Sequence, residues 1–232
     1  MALTRLRIQV AALVATVVVL AAAASPAAAA STQVRVRVEG GSQTLVRATV
    51  TPFTGTVIGQ PLTQPTALGG LIAGTRSANV PLGLQWFDCC GFYVNSINGR
   101  AADATHYWAF KVNNTLAAQG AGTTPATAGA SYLFYFTRFD PVTFETQPTL
   151  GISENKSAVR SGSSLTVKVF SYDDAGVGTA HSGAQVYVGA KVVGQTNARG
   201  VLKTTLTTKG KFQVRATYPG AIRSGRLWVT VN

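Results

Sequence analysis

Two histidines, one adjacent cysteine pair and one adjacent carboxylate pair are the residues in this chain best suited to chemistry. A nucleophile–base pair would need His106 beside Ser96, or His181 beside Ser182, and neither serine lies in a recognisable nucleophile motif. No HExxH pair, phosphate-binding glycine loop or dinucleotide fingerprint is present. The eight Asp and Glu residues are scattered, whereas glycoside hydrolysis needs two that converge. Asp173 and Asp174, close to Gly176 and Gly178, offer too few oxygens for calcium and read as a turn. The expectation is therefore a non-enzymatic protein with no catalytic residue, no metal and no cofactor. A hydrolase is the remote alternative.

Cys89 and Cys90 are the only cysteines. In an exported chain an even pair implies a disulfide. Neighbouring Cα atoms lie about 3.8 Å apart, below the usual disulfide range of about 4.4–6.8 Å, so a Cys89–Cys90 bond closes a tight, strained ring. This vicinal bond is the leading reading. An intermolecular cross-link and a pair of free thiols are the alternatives. Without a nearby histidine, two thiols are a weak metal signal.

The aromatic residues say more. Trp108, Phe110 and Val112 share one face of a strand, with Tyr107 and Lys111 on the other. Tyr132, Phe134 and Phe136 form one face of a second strand, with Leu133 and Tyr135 opposite. A sheet core accounts for most of these rings. A domain with one helix covers only one face of its sheet, so the excess marks either a binding face or a seam with a second domain. Tyr93, Asn95, Tyr107 and Lys111 are the candidate ligand-binding residues.

The elements that position them are mostly strands. Residues 33–38 alternate, with Val34, Val36 and Val38 on one face, and residues 45–50 read as the hairpin partner across a Gly40–Gly41 turn. Strand signals recur at 82–87, 92–97, 107–112 and 131–136. Residues 67–73 hold Leu68, Leu71 and Ile72 at helical spacing, although Gly69 and Gly70 interrupt them. Pro141 and the polar stretch to Pro148 read as a linker. A second series follows at 165–170, 185–188, 191–194, 201–206, 212–216 and 227–231, spaced as in an antiparallel sandwich. The expected organisation is a signal peptide over 1–30, a first domain over 31–140, a linker over 141–150 and a sandwich over 151–232. No internal repeat links the halves.

The N-terminus is a separate segment. Arg5 and Arg7 precede a nearly uninterrupted apolar run from Ile8 to Ala24, and Ala28 to Ala30 supply a small-residue cleavage site. Cleavage after Ala30 predicts a mature N-terminus at Ser31 and a secreted or surface-associated monomer without a membrane span. The mature chain has 202 residues and an uneven charge. Residues 31–147 carry seven Lys and Arg against five acids, and residues 148–232 carry eleven against three. The cations of the second half, among them Lys168, Lys211 and Arg215, fall singly along strands and read as a solvated face.

Gly91-Phe-Tyr-Val-Asn-Ser-Ile-Asn-Gly99, Tyr107-Trp-Ala-Phe-Lys-Val-Asn-Asn114, Gly120-Ala121 and Gly129-Ala-Ser-Tyr-Leu-Phe-Tyr-Phe136 carry a resemblance. Over residues 33–138 the chain resembles the domain-of-unknown-function family related to the C-terminal β-domain of transcobalamin and intrinsic factor. The resemblance implies a β-grasp-like α+β unit with one helix on a sheet. Cobalamin does not carry over, because the helical domain that shares its binding is absent from this sequence. Residues 150–232, through Ser182-Gly-Ala-Gln-Val-Tyr-Val188, Thr196-Asn-Ala-Arg-Gly200 and Gly210-Lys-Phe-Gln-Val-Arg-Ala216, resemble bacterial Ig-like or carboxypeptidase-regulatory-like modules. The fold class expected is mainly β, a β-grasp-like domain followed by an Ig-like sandwich. The function expected is an exported binding protein, the first domain a receptor and the second a spacer. The alternative is an envelope adhesion protein whose basic sandwich holds anionic cell-wall polymers. A small molecule or a protein are the other partners considered, and nucleic acid is not expected.

Overall fold

The computed structural model describes residues 32–138, 140–143 and 145–232. The expected signal peptide and its cleavage site at Ser31 lie outside the described residues. The described residues are mainly β with one short helix.

In chain order the first half contains β1 (Val34–Glu39), β2 (Thr44–Val50), β3 (Gly55–Val57), β4 (Gln60–Leu62) and α1 (Ala67–Ser77). β5 (Leu82–Phe87), β6 (Gly91–Ile97), β7 (Arg100–Ala101), β8 (His106–Val112), β9 (Thr115–Leu116) and β10 (Ser131–Arg138) follow. The main sheet runs β2-β1-β10-β8-β9, with a parallel β1–β10 pair at its centre and antiparallel pairs around it. β5, β6 and β7 form a second sheet and β3–β4 a small hairpin.

Alternation in β1 turns Val34, Val36 and Val38 toward α1, where they pack with Leu68, Leu71, Tyr132 and Phe134 in one buried cluster. Thr66 caps the helix, its hydroxyl accepting from the Gly69 amide at 3.2 Å. Gly70 and Gly74 face the sheet, and Gly69 faces the backbone of Phe53. A Cβ on Gly70 would lie 3.2 Å from Val34, and one on Gly74 would lie 3.2 Å from Val46. The helix therefore lies almost backbone-to-sheet, and it runs four residues past the predicted segment of 67–73.

The second half is a two-sheet sandwich of β11 (Thr149–Glu154), β12 (Ala158–Val159), β13 (Ser163–Tyr172), β14 (Gly178–Ala180), β15 (Gln185–Val188), β16 (Lys191–Gln195), β17 (Val201–Leu206), β18 (Gly210–Thr217) and β19 (Leu227–Val231). β13 pairs with β11 on one edge and with β14 and β17 on the other. The facing sheet runs β12-β19-β18-β15-β16, with β12 parallel to β19. Leu165, Val167, Val169, Val186, Val214 and Val229 fill the core between the sheets.

The two cores do not swing freely on a linker. Residues 31–232 form one compact unit. Of the expected linker, Thr146 is buried and Thr149 already begins β11. The polar composition of 143–148 concealed this because its hydroxyls are spent internally: Thr146 bonds Tyr135 and Asp174, and the Gln147 amide donates to the Thr137 hydroxyl. The stretch around Val142, 83% exposed, is the most open part, and Pro148 is exposed as well. Limited proteolysis should thus cut between residues 140 and 145, and the nicked halves should co-elute in native gel filtration and separate only in denaturant. Halves that separate without denaturant would contradict a closed seam.

Candidate functional site

One face of the main sheet packs on α1, and the opposite face decides where a ligand can reach. Along β8 and β10 that face is closed by the sandwich. Ala109, Leu133 and Tyr135 pack with Ile222, and Tyr107 and Leu116 border them. Lys111 is completely buried there. Its ammonium pairs with Asp174 at 3.2 Å and donates to the carbonyls of Tyr172 at 3.2 Å and Asp173 at 2.7 Å. Asp174 also accepts from the Thr146 hydroxyl at 2.6 Å and the Thr146 amide at 2.8 Å.

The four predicted ligand-binding residues therefore do not form one open face. Lys111 is a seam cation, with all its contacts inside the protein, and it is withdrawn as a ligand contact. Tyr107 is half-buried beside the same cluster. Burial first, then the nearby Asp174 and Tyr93, raises its pKa. Tyr93 and Asn95 stay on β6, both half-buried, with the Tyr93 ring edge-on to Phe87 at 6.1 Å. The seam alternative for the aromatic excess is the one the fold adopts on β8 and β10.

A second clasp closes the other end of the seam. Arg223 donates to Glu39 at 2.7 Å, to the Ser42 carbonyl at 2.7 Å and to the Thr44 hydroxyl at 2.9 Å. Between the clasps, residues of β1 and β2 and residues of the sandwich line a cleft of about 830 Å³. That size falls in the usual range of ligand sites, about 300–1,000 Å³. Arg35, Arg37 and Arg47 line one wall, and Arg226, Tyr172 and Trp228 the other.

The arginines are placed by strand geometry. Arg35 and Arg37 alternate with the buried valines of β1, and the β1–β2 register sets Arg37 directly opposite Arg47. Like charges directly opposed on a sheet are unfavourable. Burial, and then Arg47 and Arg223, pull the Arg37 pKa below its ordinary value although Glu39 lies beside it. Burial and then Arg226 do the same to Arg47. These groups stay charged, and the depression comes first from burial, with the neighbouring arginines adding to it. Among the described residues Glu39 is the carboxylate paired with this cluster, and Arg223 already holds it at the shorter distance. The cleft thus concentrates positive charge that the protein itself leaves unneutralised. Sequence inspection passed over these arginines because each is isolated along its strand. A two-residue Gly40–Gly41 turn would set Arg37 opposite Thr44; the longer turn over residues 40–43 and a register shift between Val38 and Glu39 set it opposite Arg47 instead.

A smaller groove of about 440 Å³ lies at the β5–β6 turn, bounded by Trp86, Cys90, Phe92 and Pro65, with no charged lining residue. Cys89 and Cys90 are joined there by a vicinal disulfide, exposed like the nearby Phe87.

The histidines lie apart. His106 bonds Thr105 through Nδ1 at 2.8 Å and stacks on Phe136. Three hydrogen bonds from Thr105 and His106 hold the neighbouring Asp103 carboxyl at about 2. His181 packs edge-on to Tyr218 at 4.4 Å, and burial lowers its pKa. Among the described residues, no group of three or more His, Cys, Asp or Glu is placed to hold a metal ion. No described helix is long and apolar enough to cross a membrane.

Comparison with curated proteins gives no match. Among solved structures, the crystal structure of murine CEACAM1b aligns with 44% of this chain and 52% of its own, at 14% identity and a TM-score of 0.24. The chain thus spans about half the length of that structure. Residues 76–138, from the end of α1 through β10, match the family described as Domain of unknown function (DUF4430).

Proposed function

We propose that this protein is an exported, non-enzymatic binding protein whose receptor is the arginine-lined cleft between its two halves, and that its ligand is anionic. The observation that supports this most is the Arg37–Arg47 cross-strand pair facing Arg226. A sheet that keeps two like charges in register, with one shared carboxylate already engaged, gives up stability that a bound anion would return. The mixed sheet and single helix of the first half support its kinship with the transcobalamin-related family. The order β12-β19-β18-β15-β16 facing β11-β13-β17 supports reading the second half as an Ig-like module. In this reading the sandwich is more than a spacer, because Arg226 and Trp228 complete the site. Cobalamin is not the proposed ligand, since a cleft lined by four arginines selects for negative charge.

Calorimetric titration of the protein with inorganic pyrophosphate at low ionic strength tests the proposal. Binding is expected, and it should weaken as salt rises, because exposed charges are screened beyond about 10 Å at 0.1 M. Arg47→Gln combined with Arg226→Gln should reduce affinity at least about tenfold, the loss of roughly 1.4 kcal/mol. The same change should leave the melting temperature equal or higher, because it removes a repulsion. No binding, or binding indifferent to both substitutions, would overturn the assignment. A fall in melting temperature would mean the arginines hold the fold instead.

A further inference from the structure

The cations do not stop at the mouth of the cleft. Trp228, on its sandwich wall, carries the Lys211 ammonium 5.1 Å from its ring centre. Gln213, paired with Trp228 across β18–β19, leads along β18 to Arg215, whose guanidinium lies 3.9 Å over the Tyr187 ring. Around the β11 edge, Phe170 also lines the cleft and carries Lys168 at 5.3 Å. Alternate residues on a strand stand about 6.7 Å apart on one face. Lys211, Gln213 and Arg215 therefore form an evenly spaced polar row along β18, with Arg215 at the end toward Arg226 and Lys211 at the far end.

We infer that the ligand is an extended phosphodiester polymer, seated in the arginine cleft and continuing along the outer faces of the sandwich past Lys211 and Arg215 on one side and Lys168 on the other. This inference rests on the cleft being the receptor. Three features of the lining choose this chemistry. All four cleft cations are arginines, whose forked donors match phosphate oxygens in pairs. They approach from two facing walls, and a tetrahedral phosphate accepts in more than one plane, where a carboxylate accepts in one. Finally, of the three rings that line the cleft, Phe170 and Trp228 each already hold a cation over one face, and Tyr172 packs against Gly151 and Gly178. Phe170 and Trp228 present charge where a single-stranded nucleic-acid site would present bare aromatic faces for bases to stack on. A polymer whose backbone is its only recognition element fits better than one carrying bases.

The experiment compares long poly(glycerol phosphate) with its two-phosphate fragment, using the full protein across a salt series. The long chain should show the steeper fall of log affinity with log salt. Lys168→Gln, Lys211→Gln and Arg215→Gln should each flatten that slope by about 1. None of the three should shift affinity for the short fragment by more than about twofold, because none lines the cleft. Equal slopes for the two ligands, or variants that weaken both alike, would overturn the extended track while leaving the cleft in place. Binding of neither would remove the cleft reading itself. Single-stranded DNA of matched phosphate number that competes as well as the polymer would overturn the base-free assignment. Thermal melts of the three variants should match the wild type. A variant that melts early is replaced by its Lys→Arg or Arg→Lys counterpart, which should retain the wild-type slope.

Discussion

Asp174→Ala should lower the melting temperature by on the order of 10 °C. It leaves the Lys111 ammonium buried without its counter-ion, and removing one partner of a buried pair costs about 3–5 kcal/mol, or about 2–4 °C per kcal/mol in a chain of this size. The carbonyls of Tyr172 and Asp173 still accept from Lys111, but they cannot cancel its charge. Lys111→Met added to Asp174→Ala should recover most of the loss, since a long apolar side chain fills the space with no charge to strand. Acid should produce a related effect. Burial raises the Asp174 pKa, but the hydrogen bonds from Thr146 and Lys111 outweigh it and hold the carboxyl below its ordinary 3.8. A depressed carboxylate contributes stability that is present above the unfolded value and lost as pH falls through the folded one. Melts taken downward from about pH 6 should therefore show a loss beginning near pH 4 in the wild type that is smaller in the double variant. Equal acid sensitivity in both would show that the pair does not set the seam's response.

The same residue pair explains how far the site was legible in sequence. Alternation placed Tyr107 and Lys111 on the face away from the helix, and that placement is what the fold shows. Alternation alone does not reveal what lies across such a face. The partner is Asp174, in the turn between β13 and β14, more than sixty residues away in sequence. A strand period constrains neighbours on one sheet and is silent about long-range docking, so an exposed receptor face and a buried seam have the same local pattern. The cleft arginines were hidden for the opposite reason. Arg35, Arg37 and Arg47 alternate with core residues as solvated cations ordinarily do, and only the register of the hairpin together with the approach of Arg226 makes them a cluster. β11 was missed because Thr149, Ser153 and Glu154 continue the polar composition of the segment before it. Gly151 is there for a packing reason, since a Cβ at that position would meet the Tyr172 ring.

The helix gives the sharpest case, and its test has the second large expected effect. Gly69 and Gly70 made α1 look doubtful, because glycine in a helix interior costs about 1 kcal/mol relative to alanine. By that argument Gly69→Ala should stabilise the protein, both through helix propensity and by restricting the unfolded chain, by about 1 kcal/mol. The packing argues for the opposite sign. A Cβ on Gly69 would overlap the carbonyl oxygen of Phe53 and crowd its amide, which donates to the Gly69 carbonyl at 2.9 Å. Backbone cannot rotate aside as a flexible side chain can, so the helix would have to lift from the strand-entry segment that it presses against. Phe53, held under Arg76 with the guanidinium 4.3 Å from its ring centre, would shift with it. The expected outcome is a destabilisation of about 3 kcal/mol, at the upper end of overpacking costs, read as a lower denaturant midpoint with an unchanged slope. Gly120→Ala is the control, because the nearest atom to its added Cβ is the Thr123 hydroxyl at 3.9 Å. It should be neutral within about 0.5 kcal/mol. If Gly69→Ala stabilises instead, α1 does not lie as close to Phe53 as the fold requires. The glycines would then have no packing role, and the interruption they make in the helical pattern would stand as a simple weakness of the helix.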